Sequence, residues 1–105
     1  MFPHNSRMRA AEVRGALRGR RCHSTLFSVV AATASRKSCA VVVSKKVSPS
    51  AVTRNRIRRR TYAALRTVPF SGALVLFPKG AVATTPFPEL VNDLSSLLSK
   101  ITRAA

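Results

Sequence analysis

The densest chemistry in the sequence lies between Val43 and Arg66, read as V-S-K-K-V-S-P-S-A-V-T-R-N-R-I-R-R-R-T-Y-A-A-L-R, where most polar positions carry a hydrogen-bond donor. Each arginine presents a rigid planar fork that clamps phosphate oxygens in pairs, whereas Lys45 and Lys46 supply more mobile point charges. Asn55, between two arginines, offers both a donor and an acceptor. It can reach a base edge or a ribose hydroxyl, or it can orient a neighbouring guanidinium. A helix beginning near Ala51 would add oriented backbone N–H groups as a further phosphate site. The chemistry on offer is that of anion recognition.

The rest of the chain agrees with that polarity. Nineteen Lys and Arg stand against three acidic residues, giving a formal net charge of +16 over 105 residues. So one-sided a surplus opposes compaction unless a polyanion neutralises it, and nucleic acid is the obvious counterpart. Glu12, Glu89 and Asp93 are too few and too scattered to assemble paired acid and base groups or a carboxylate metal site. His4 and His23 have no evident partner. Cys22 and Cys39 lack the spacing of a metal or redox motif and read as free thiols, Cys39 within a strand. No apolar run approaches the roughly 20 residues of a membrane span, and the first 25 residues lack a secretory apolar centre. A cytoplasmic location is expected.

These side chains need a scaffold, and the length suits one domain over 1–105, with positions 1–5 and 103–105 expected to be mobile. Ser6 can cap a short helix to about Leu17, stopped by Gly19, with a polar basic stretch following to His23. Leu26 to Thr33 and Ser38 to Ser44 read as two strands of a hairpin. Pro49 interrupts the chain, and the stretch from Ser50 to Val68, free of Gly and Pro and ended by Pro69, reads as a helix of about four turns. Helical spacing gathers Ile57, Thr61, Ala64 and Leu65 on one face and puts Asn55, Arg56, Arg59 and Arg66 roughly opposite. Arg54 and Arg58 fall at the margin, stems on the core and guanidinium groups outward. Ala73 to Phe77 is an unbroken apolar run suited to a strand covered on both sides. After Thr85-Pro86, the residues Leu90, Val91, Leu94, Leu97, Leu98 and Ile101 form the cleanest amphipathic stripe, a core helix. The order α-β-β-α-β-α indicates an α+β domain, helices on a small sheet.

The run Val43-Ser44-Lys45-Lys46, followed at fixed spacing by Ala51-Val52-x-Arg54-Asn55-Arg56-Ile57 and further arginines, resembles the signature region of the bacterial ribonuclease P protein family. It covers about 25 residues strongly, and the flanking elements agree in order. The resemblance implies an α-β-β-β-α-β-α domain with a mixed sheet, similar to the ribosomal S5 second-domain fold, with a left-handed βαβ crossover at the arginine helix. It implies that Lys45, Lys46, Arg54, Asn55, Arg56, Arg58, Arg59 and Arg60 contact the catalytic RNA. A cleft between the first helix and the sheet would take the 5′ leader of precursor tRNA.

Two departures stand out: Tyr62 and Ala63 replace the family's usual arginine and acidic or amide residue, and the cleft's aromatic positions on the first helix align with Val13 and Leu17. Phe27 is then the remaining stacking candidate. The implied partners are ribonuclease P RNA and precursor tRNA. Catalysis would reside in the RNA with its magnesium ions, the protein binding no cofactor itself. A ribosomal RNA-binding protein is the alternative, and a DNA-binding module is disfavoured because the arginine helix lacks the partner helix of a helix-turn-helix.

Overall fold

The computed structural model describes residues 19–32, 37–70 and 72–104, with side chains to 101. The helix expected over 6–17, and with it Val13 and Leu17, lies outside the described residues, as do positions 1–5. The elements are β1 (Arg20–His23), β2 (Phe27–Ala32), β3 (Ser38–Val41), α1 (Ala51–Leu65), β4 (Ala73–Pro78), a 3-10 turn (Gly80–Ala83) and α2 (Phe87–Ala104). α2 thus takes in two terminal positions expected to lie beyond the ordered chain.

The four strands form one mixed sheet in the order β1-β2-β4-β3. β1 and β2 are antiparallel, β2 and β4 are antiparallel, and β3 runs parallel to β4. This corrects the expected β2–β3 hairpin, because β4 sits between those two strands. Its sequence explains why: the run Ala73 to Leu76 is buried at every position, as a strand must be when both edges are paired and both faces covered. β1 corrects the reading of Gly19 to His23 as an irregular basic stretch. Arg20, Arg21 and His23 are exposed and only Cys22 is partly buried, so this edge strand carries almost no apolar alternation by which to find it.

Alternation divides the sheet into two faces. Phe27 and Val29 on β2, Cys39 and Val41 on β3, and Leu74 and Leu76 on β4 turn toward the helices, where they meet Ile57, Ala64 and Leu65 of α1 and Leu90, Leu94, Leu97 and Leu98 of α2. Val30, Ala73 and Val75, with Ala32 and Phe77 against them, form a smaller apolar cluster on the opposite face. The stripe expected on α2 is the one observed, four leucines buried and Val91 and Ile101 packed at its margin.

Both ends of α1 have local causes. Ser50 is its N-cap, Oγ accepting from Thr53 N at 3.2 Å. The helix ends at Leu65, three residues short of the expected Val68, because Thr67 N and Val68 N fall back on the Ala64 and Leu65 carbonyls. Pro69 disfavours helical backbone at Val68. Gly72, at φ 75°, makes the turn into β4 in a conformation that other residues reach only with strain, and its carbonyl accepts from Ser38 N at the start of β3.

Candidate nucleic-acid interface

α1 is sorted by its own periodicity. Ile57, Thr61, Ala64 and Leu65 are buried, as their spacing requires, and Thr61 Oγ1 donates to the Ile57 carbonyl at 2.8 Å, so this one polar group on the buried face is satisfied within the helix. Asn55, Arg56, Arg59 and Arg66 are exposed on the other side. Between the turns lies a shallow depression of about 490 Å³ lined by Val52, Asn55, Arg58, Arg59 and Tyr62.

Within this arc the residues divide into fixed and free. Arg58 Nη1 donates to Asn55 Oδ1 at 2.7 Å, so Asn55 orients a neighbouring guanidinium, one of the two roles its chemistry allowed. Arg56 and Arg59 make no hydrogen bond among the described residues and keep every donor for a partner. Arg54 lies at the margin but does not simply reach outward. Its Nη1 donates to the Ser48 and Pro49 carbonyls at 2.9 and 3.0 Å, which ties the segment before α1 to its first turns. Lys45 and Lys46 stand exposed on the turn just upstream of that segment.

Arg60 departs from the expected set. Its Nε donates to the Val82 carbonyl at 2.9 Å and its Nη2 to the Thr85 carbonyl, so the guanidinium joins α1 to the 3-10 turn and to the entry of α2. The spacing contained the signal: Arg60 lies three residues after Ile57 and four before Ala64, on the flank of the buried face.

A second concavity, about 670 Å³, opens on the other side of the sheet. Val42, Ser44, Lys46, Val47, Phe77, Pro78, Lys79 and Gly80 line it. Lys46, grouped by sequence with the arginine helix, therefore borders this groove as well. Phe27 does not reach it. That ring is fully buried on the helix-facing side, which removes Phe27 as a stacking candidate. The aromatic at the groove is Phe77, whose partner across the β2–β4 ladder is Ser28. The apolar run of β4 hid it, because an unbroken run does not reveal which residues alternate toward which face.

The two acidic residues among the described ones, Asp93 and Glu89, go to structure. Asp93 on α2 accepts from Ser24 Oγ at 2.5 Å in the β1–β2 turn, whose Ser24 carbonyl also accepts from Lys79 Nζ at 2.7 Å. Glu89 is exposed in the first turn of α2, where a carboxylate suits the helix dipole. Among the described residues no three His, Cys, Asp or Glu side chains come together as metal ligands, and no helix is long and apolar enough to cross a membrane.

The fold and this surface define a small basic α+β domain that carries an arginine helix on one side of a mixed four-stranded sheet and a basic groove on the other. The sequence model of the ribonuclease P family matches residues 6–102, and the chain belongs to the ribonuclease P protein family. Solved structures agree with the fold. The Staphylococcus aureus RNase P protein superposes with a TM-score of 0.73 at 17% identity, covering 91% of this chain and 94% of that one. A mutant of the same protein, described as defective in mRNA degradation activity, gives 0.80 at 18% identity over 93% and 89%. The Thermotoga maritima RNase P protein gives 0.75 at 19% identity over 90% and 96%.

Proposed function

We propose that this protein binds the catalytic RNA of ribonuclease P through the exposed arc of α1 and assists removal of the 5′ leader from precursor tRNA. The observation that carries the reading is the segregation of α1: one face is wholly committed to the core, while Asn55, Arg56, Arg58 and Arg59 stand together on a surface with no acidic neighbour along the helix. Such a surface follows a folded phosphate backbone, with Asn55 and Arg58 held as a pair and Arg56 and Arg59 adjusting to the RNA. Lys45, Lys46 and Arg54 extend it toward the helix N-terminus.

The chemistry of cleavage belongs, in this reading, to the RNA and its magnesium ions. The protein neutralises phosphates and holds the leader, lowering the magnesium concentration required. The experiment is cleavage of a 5′-extended precursor tRNA at low magnesium by cognate ribonuclease P RNA with and without the protein, alongside protein alone. Stimulation that needs both components supports the proposal. No stimulation, or cleavage by the protein alone, overturns it.

A further inference from the structure

We infer that Tyr62 on α1 seats one splayed-out base of the ribonuclease P RNA, so that the arginine helix holds its RNA by a stacked base as well as by phosphates. This rests on the proposed function for its partner and adds a second kind of contact to it. Val52, Asn55, Arg59 and Tyr62 follow one another at steps of three, four and three residues, which sets them along one stripe of the helix, and with Arg58 they line the depression of about 490 Å³. Tyr62 is half-buried and packs against the main core cluster. A ring held by the core at the edge of a depression loses little freedom when a base covers it.

The preceding turn supplies the charge. Long helical side chains lean toward the N-terminus, which brings Tyr62 back to the turn that carries Arg58 and Arg59. Arg58 is held by its bond to Asn55 Oδ1 at 2.7 Å, and Arg59 makes no hydrogen bond among the described residues. One fixed and one adjustable cation thus stand a single turn before the ring, within reach of the phosphates on either side of a stacked base. No acidic side chain lines the depression to oppose them. Stacking on a ring flanked by cations is the general mode by which proteins hold unpaired nucleotides. Bases paired in a duplex offer only their edges, whereas the loops and bulges of a folded RNA offer faces, so the seat selects the folded RNA.

Tyr62 is the single tyrosine of a chain without tryptophan, so Tyr62→Trp introduces a lone indole at the seat. In the full-length protein, titration with ribonuclease P RNA should quench that indole to saturation, while an RNA duplex, at concentrations where filter binding shows it bound, should leave it bright. Tyr62→Leu keeps an apolar side chain against the core and should weaken binding of the RNA subunit about tenfold, in line with the loss of one base–aromatic stack, whereas Tyr62→Phe should bind as wild type. Because no phosphate contact is lost, Tyr62→Leu should keep the wild-type slope of log affinity against log salt. An indole that the RNA subunit leaves bright, or that duplex quenches equally, overturns the inference, as does a folded Tyr62→Leu protein with wild-type affinity. Failure of the wild-type protein to bind the RNA at all would instead overturn the proposed function.

Discussion

Substitutions at neighbouring arginines of α1 should have opposite consequences. Arg56 and Arg59 are exposed and make no hydrogen bond among the described residues, so Arg56→Ala with Arg59→Ala removes two cations and little else. Each phosphate contact contributes about 0.7 to 0.9 to the slope of log affinity against log salt, so the double variant should lose about 1.4 to 1.8 units of slope. Over the fourfold rise from 50 to 200 mM salt, the wild-type advantage should then shrink by roughly tenfold. Stability should stay within about 0.5 kcal/mol, as for surface substitutions generally. Arg60→Ala removes the bonds to the Val82 and Thr85 carbonyls. Hydrogen bonds of a charged donor contribute about 1.5 to 3 kcal/mol each, and partial exposure here lowers the pair to about 2 kcal/mol. The melting temperature should fall by on the order of 10 °C, with the salt slope unchanged. Filter binding to ribonuclease P RNA at five salt concentrations, with thermal melts of each variant, measures both effects. A double variant with the wild-type slope, or an Arg60→Ala variant that loses slope and keeps its melting temperature, would refute this division of the helix.

Three further substitutions probe the scaffold. Phe27→Ala empties a fully buried site on the helix-facing side of the sheet and should cost about 3 to 5 kcal/mol, read as a loss of the cooperative transition in urea. Asp93→Ala releases the Ser24 hydroxyl and should cost about 1 to 2 kcal/mol, with faster amide exchange at Phe27, whose N–H Ser24 Oγ accepts. Ser50→Ala removes the α1 cap and should cost about 1 kcal/mol in the same denaturation series.

Much of this was legible in the sequence because α1 and α2 obey helical periodicity without interruption. Spacing alone names Ile57, Thr61, Ala64 and Leu65 as the buried face, and the arginines opposite follow by exclusion. Strand pairing was not legible. Two apolar runs four residues apart suggest a hairpin, and only the nonlocal competition for partners puts β4 between them. β1 escaped because an exposed edge strand needs no apolar alternation, and its ladder to β2 is made by backbone groups that every sequence possesses. The same holds for Arg60, whose acceptors are carbonyls of Val82 and Thr85, residues whose side chains give no hint of the contact. Phe27 and Phe77 exchanged roles for a related reason. Each lies at the end of an apolar run, and only the sheet register puts one under the helices and the other at the groove.

The most direct test of where α1 meets RNA uses a hydroxyl-radical source tethered to single cysteines in a Cys22→Ser background, since Cys39 is buried. Val52, 76% exposed beside Asn55 and Arg59, reports on the arginine face, and Ser96, exposed on α2, serves as the comparison. In the complex with ribonuclease P RNA, the probe at Val52→Cys should cut the RNA at a few discrete positions, and the probe at Ser96→Cys should cut weakly or not at all. Discrete cutting from Ser96→Cys with none from Val52→Cys would contradict the docking of RNA on the arginine helix.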